Sequence, residues 1–149
     1  MLVGVPKEIK NQESRVGLTP ASVKELVLRG HQVLVQKDAG AAIGLSDAMY
    51  EGAGAEIVDN AADIFARAGM IVKVKEPQPN ECAMLRKDQI LYTYLHLAPD
   101  AEQTRALVES GAVCIAYETI TGDNGGLPLL APMSEVAGRM SIQAGAAHL

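Results

Sequence analysis

Residues 70–117, MIVKVKEPQPNECAMLRKDQILYTYLHLAPDAEQTRALVESGAVCIAY, hold the pattern on which the fold turns. Met70 to Val74, Gln89 to Tyr94 and Ala112 to Tyr117 are short apolar runs with the length and β-branched content of buried strands. Between them, Asn80 offers a cap for a helix through Leu85, and a second helix is expected from Asp100 to Ser110. Strands separated by helices and short connections predict parallel neighbours, because parallel strands need a crossover and a helix is the usual one.

The same unit recurs upstream. Leu2 to Val5 is an apolar strand ended by Pro6, and Lys7 to Leu18, charged and without an apolar period, reads as a loop at that strand's end. Thr19 is placed to cap a helix whose first position is Pro20, whose stripe is Val23, Leu26 and Val27, and whose stop is Gly30. His31 to Gln36 follows as a strand. Ser46 or Asp47 starts a short helix, Glu56 to Val58 is a brief strand, and Asn60 caps Ala61 to Ala68. The fold class expected is therefore α/β, a parallel sheet with helices on both faces in the flavodoxin or Rossmann manner, whose ligands bind beyond the carboxyl ends of the strands.

Composition agrees with a compact domain. The 149 residues are 48% hydrophobic and 21% charged, which excludes a disordered or fibrous chain. A formal charge of -5 disfavours nucleic acid and anionic membrane surfaces as partners. No apolar run approaches the ~18 residues of a bilayer span, and the start MLVGVPKEIK turns polar too early for a secretory signal, so a cytoplasmic location is expected. Cys82 and Cys114 lie far apart without metal-ligand spacing, so no metal site is expected, and both read as core or surface thiols.

Past Tyr117 the texture changes. Glu118 to Gly126 is polar and turn-rich, Leu127 to Pro132 is a stiff apolar exit, and Ser134 is placed to cap a helix rich in Ala and Gly. Such a helix is expected to pack closely against another surface. It meets no stop signal before Leu149, so the natural chain is expected to continue.

Three predicted strand ends concentrate ionisable groups: Glu13-Ser14-Arg15, Lys73-Val74-Lys75-Glu76-Pro77 and Tyr92-Thr93-Tyr94-Leu95-His96. In a parallel sheet they converge on one edge, where Arg15 offers a planar fork to a carboxylate and Lys75 a point charge. Taken singly, each cation reads as a solvated surface residue. His96, ending an apolar strand, is placed as an acid/base group; without the neighbouring cations a structural histidine would be the better reading. His31 and His148 read as structural or incidental. Gly52-Ala53-Gly54 lacks the third glycine and the following helix of a dinucleotide fingerprint, and Gly122 to Gly126 lacks the ending of a phosphate loop.

The runs Val3-Gly4-Val5-Pro6-Lys7-Glu8 and Glu13-Ser14-Arg15-Val16-Gly17-Leu18-Thr19-Pro20 closely resemble the amino terminus of alanine dehydrogenases and their relatives. Gly30 to Val33, Asp38-Ala39-Gly40, Ser46-Asp47, Lys73 to Pro77, Tyr94 to Ala98 and Pro132 to Gly138 continue that likeness in order, across essentially the whole chain. Nicotinamide nucleotide transhydrogenases resemble the first half similarly, but their counterpart of Tyr94 to Ala98 lacks the histidine.

The resemblance implies reversible NAD-dependent oxidative deamination of L-alanine to pyruvate and ammonium. It implies Arg15 and Lys75 on the substrate carboxylate, His96 as acid/base, Ser134 touching the nucleotide, and Met133 lining the same cleft. It further implies a substrate domain over 1–126, then a linker and the start of an interdomain helix over 127–149 leading to a nucleotide domain outside this chain. Full-length members are homohexamers by the same implication, and the chain alone is expected to be inactive. Two other readings remain: a transhydrogenase subunit fragment, and a non-catalytic module that binds a small carboxylate.

Overall fold

A computed structural model of the chain describes residues 1–148; the expectation about the chain's continuation at Leu149 lies outside them. Two compact units divide it, the first spanning Met1–Ile115 and the second beginning at Ala116.

The first unit carries strands β1 (Leu2–Val5), β2 (Gln32–Gln36), β3 (Glu56–Val58), β4 (Met70–Val72) and β5 (Ile90–Thr93), with β6 (Val113–Ala116) reaching its boundary. They form one six-stranded sheet in the order β3-β2-β1-β4-β5-β6. The pairs β1 with β2, β1 with β4, β2 with β3 and β4 with β5 are parallel. This is the Rossmann order rather than the flavodoxin one, and the direction of winding reverses between β1 and β4.

Helices α1 (Pro20–Leu28), α2 (Asp47–Gly52), α3 (Ala61–Arg67), α4 (Pro79–Cys82) and α5 (Ala101–Ser110) make the connections. Consecutive residues of the central strands point to opposite faces, yet Val3, Gly4 and Val5, and likewise Val33, Leu34 and Val35, are all buried. Both faces are therefore covered. Val3, Val5, Val33 and Val35 pack with Val23 of α1 and Tyr50 of α2. On the opposite face, a Cβ at Gly4 would lie 2.5 Å from Ile64 Cγ2 and 2.8 Å from Ala68 Cβ, so glycine lets α3 press onto β1.

Caps follow the sequence in part. Thr19 accepts the Ser22 amide at 3.3 Å, Asn60 the Asp63 amide at 2.9 Å, and Asp100 the Gln103 amide at 2.9 Å. Asn80 does not cap: α4 starts at Pro79 after Gln78, whose amide donates to Glu81 Oε2 at 2.8 Å. A proline lacks the N–H that a first-turn residue leaves unpaired anyway, so it takes the opening position and moves the cap upstream.

The second unit holds a tight turn in which the Gly122 amide donates to the Gly126 carbonyl at 2.8 Å, and helix α6 (Ala131–Ala147). Here too a proline corrects the expectation. Leu130 is the N-cap, Pro132 lies in the first turn, and Ser134 sits inside the helix with its hydroxyl donating to the Leu130 carbonyl at 3.3 Å. No residue of α6 among those described is buried. No helix among the described residues is long and apolar enough to cross a membrane.

Candidate active site

Ligands of this sheet order collect where the winding reverses, beyond the carboxyl ends of β1 and β4. The loop after β1 reaches that point because Gly17 lies against the end of β4, where a Cβ would be 2.5 Å from the Val72 carbonyl oxygen. Beyond the ladder, β4 and β5 stay joined: the Lys73 amide donates to the Tyr92 carbonyl at 3.1 Å, the Tyr94 amide to the Val74 carbonyl at 3.2 Å, and the Thr93 hydroxyl to the Lys75 carbonyl at 2.8 Å. Lys75 and His96 thus leave the sheet side by side, and Lys75 Nζ stands 3.5 Å from His96 Nε2.

His96 is exposed, has φ of +49° and stacks on Tyr94 with ring centroids 6.1 Å apart. A non-glycine residue in that region of backbone space is uncommon, and such residues cluster at working sites. The preceding Leu95 carbonyl is held by the side chain of buried Gln103 in α5, whose Nε2 donates to it at 2.7 Å.

Arg15 is oriented by Glu13. Its Nε donates to Glu13 Oε1 at 2.8 Å, Nη2 to Oε2 at 2.6 Å, and its backbone amide to Oε1 at 2.9 Å. That fork holds the Glu13 carboxyl below the usual carboxylate range. Lys10 pairs with Glu76 beside them. Burial first, then the charges of Lys10 and Arg15, hold the Lys75 ammonium below the ordinary lysine range, while Glu13 and Glu8 oppose that shift. Glu76 Oε2, buried and without a hydrogen bond, lies 3.5 Å from Lys75 Nζ.

Beneath this cluster lies a buried ion triad that sequence reasoning did not assign. Lys73, fully buried, donates from Nζ to Glu8 Oε2 at 3.1 Å and to Glu81 Oε1 at 2.8 Å. Reading this lysine as a solvated surface cation is corrected: its two carboxylate partners supply what water would have supplied. Spacing could have hinted at part of it, since Glu81 stands three residues after Gln78 in the manner of a capping box. Glu8, 65 residues away in sequence, gave no such signal.

A pocket of about 240 Å³ opens beside the cluster, lined by Lys10, Glu76, Gln78, Cys82, Asp100 and Gln103 among others. Neither Lys75 nor His96 lines it. The physical case for chemistry rests on the convergent cations and the histidine rather than on the nearest concavity. Burial pushes the Cys82 and Cys114 thiols up, so neither is an activated thiolate. Ser134 and Met133 belong to the second unit.

The arrangement defines an α/β domain with a cationic cluster and an adjoining imidazole at its switch point. The family model for "Alanine dehydrogenase/PNT, N-terminal domain" matches residues 4–137, and the chain belongs to that family. It is 58% identical over its whole length to an alanine dehydrogenase of Halomonas elongata, covering 40% of that protein, and 51% identical to one of Bacillus subtilis, covering 39%. A solved L-alanine dehydrogenase superposes with a TM-score of 0.93 at 53% identity, over 99% of this chain and 40% of the other. A transhydrogenase from Sinorhizobium meliloti gives a TM-score of 0.74 at 30% identity, over 79% of this chain and 35% of the other. The chain spans about 40% of the length of the curated relatives it matches.

Proposed function

We propose that this chain is the substrate-side portion of an NAD-dependent L-alanine dehydrogenase, catalysing L-alanine + NAD⁺ + H₂O ⇌ pyruvate + NH₄⁺ + NADH + H⁺ in the cytoplasm as part of a homohexamer. The observation that carries the reading is the placement of Lys75 Nζ 3.5 Å from His96 Nε2 at the sheet's switch point, with Arg15 acting electrostatically on the same lysine.

Arg15 and Lys75 hold the substrate carboxylate, and Lys75 also polarises the keto or imino group at the α-carbon. Glu13 already occupies the Nε and Nη2 edge of Arg15, so it presets the guanidinium plane. With Lys75 as the donor, His96 Nε2 is the acceptor and Nδ1 bears the imidazole proton. Nε2 is then the atom that takes a proton from, or returns it to, the water and ammonia exchanging at the α-carbon.

Residues 1–115 do not fit a dinucleotide despite their strand order. The connection from β1 to α1 is the long charged loop after Pro6 rather than a tight glycine turn, and the α1 amino terminus is closed by the Thr19 hydroxyl. In this reading 1–126 form the substrate domain, 127–149 lead into an interdomain helix, Ser134 touches the cofactor, and NAD is bound mainly elsewhere. The test is pyruvate binding to the chain by calorimetry, with Arg15→Ala and Lys75→Ala as controls. Binding that disappears in both variants is the expected result. No binding at millimolar pyruvate, or binding that survives both changes, overturns the assignment.

A further inference from the structure

The loop after β1, the end of β4 and the start of α4 meet in a hydrogen-bonded network that the roles above do not use. Glu8, 7% exposed, lies at its centre. Its Oε1 accepts the Val74 amide at 2.6 Å and its Oε2 accepts Lys73 Nζ at 3.1 Å. Lys73 is held from the other side by Glu81 Oε1 at 2.8 Å, and Glu81 Oε2 accepts the Gln78 amide at 2.8 Å.

Burying three ionised groups is costly, and apolar side chains of similar volume commonly stabilise a fold as well or better. Stability alone therefore does not account for this choice of residues. What the network does fix is direction. Val74 immediately precedes Lys75, and its amide is tied to a carboxylate that is itself clamped by a buried ammonium. The Lys75 carbonyl is fixed separately by the Thr93 hydroxyl. The backbone from which Lys75 projects is thereby pinned on both sides of its Cα.

We propose that Glu8 is a positioning residue of the carboxylate-binding site, using its Lys73-clamped carboxylate to fix the Val74 amide and so aim Lys75 at the substrate. The proposal rests on the reading of Arg15, Lys75 and His96 as that site. Glu8 does not touch substrate; it acts through Lys75.

The experiment compares pyruvate affinity, by calorimetry on the chain, for the unsubstituted protein and for Glu8→Leu, Glu8→Gln and Glu8→Asp, each first shown to be folded by circular dichroism at the working temperature. Glu8→Gln keeps an oxygen for the Val74 amide but turns its amide N–H toward Lys73 Nζ, which stays paired with Glu81; with the acceptor kept and the clamp lost, it is expected to fold and to lose less affinity than Glu8→Leu. Glu8→Leu removes the acceptor and is expected to weaken binding about tenfold or more, since misplacement of a binding group by a fraction of an ångström to an ångström has effects of that size. Glu8→Asp keeps the charge but is one methylene too short to span both partners, and it serves if Glu8→Leu does not fold; about fivefold weakening is expected.

A folded Glu8→Leu or Glu8→Asp with unchanged affinity overturns the proposal, as does a Glu8→Gln that loses as much as Glu8→Leu. Failure of the underlying reading looks different: the unsubstituted chain itself then fails to bind pyruvate, and both fall together.

Discussion

Burial first, and then the neighbouring cations Lys10 and Arg15, disfavour the Lys75 ammonium, with Glu13 and Glu8 pulling the other way. Anion binding needs the ammonium form, so pyruvate affinity should hold steady below the depressed pKa and fall as pH rises through it, starting below the ordinary lysine range. Calorimetry across a pH series reads that midpoint. Lys10→Gln removes a like charge and releases Glu76 from its partner, and both changes favour the ammonium; the midpoint should move up. A midpoint that moves down or stays fixed contradicts the assigned electrostatics. The stability linkage has a definite sign as well. Between the depressed folded value and the unfolded value the unfolded chain binds more protons at this group, so its contribution to stability rises with pH across that window.

Arg15 makes a separate argument against conservative replacement. Its fork meets both oxygens of Glu13, a geometry that an ammonium cannot reproduce. Arg15→Lys should therefore lose about tenfold in pyruvate affinity although the charge is retained, a loss of roughly 1.4 kcal/mol. Calorimetry that finds equal affinity would show that only the charge matters.

Among the elements, two glycines mark close backbone approaches in the first unit, and one of them lies next to the site. Gly17 lets the loop after β1 touch the end of β4, and the nearest atom to an added Cβ is a backbone oxygen at 2.5 Å, which no rotamer change can move. Gly17→Ala should cost about 1–3 kcal/mol in urea unfolding, as overpacking does, and should also weaken pyruvate binding because Arg15 rides on that loop. Gly4→Ala meets side-chain atoms of α3 instead, so its cost should be of similar size in unfolding with pyruvate affinity retained once folded.

The strands were legible because their apolar runs are short and bounded, and β1 and β3 fall where the residues predict. Helix starts at Asn60 and Asp100 were legible from their capping side chains, and where a proline opens the helix the start was legible only where a usual capping residue stands before it. Thr19 before Pro20 meets that condition, whereas Gln78 before Pro79 and Leu130 near Pro132 do not. Arg15, Lys75 and His96 could be drawn together from topology, since parallel strands send their ends to one edge. The Glu8 and Lys73 pairing could not, because nothing local in either segment announces a partner 65 residues away.

At the scale of the whole chain, the same sheet order that brings the cationic cluster together is filled at its first crossover by a charged loop instead of a phosphate cradle. Hydride transfer requires nicotinamide and substrate held at near-attack distance, and orientation of that kind is worth about 7–11 kcal/mol of barrier. The chain covers 40% of its dehydrogenase relatives, and on the proposed reading its first unit holds the substrate side of that encounter while the dinucleotide is held elsewhere. The expected outcome is pyruvate binding without turnover: L-alanine and NAD mixed with this chain should give no growth of NADH absorbance above a no-protein control. Turnover that disappears in His96→Ala would instead place a working nicotinamide site within these residues and refute the division of labour between substrate and nucleotide domains.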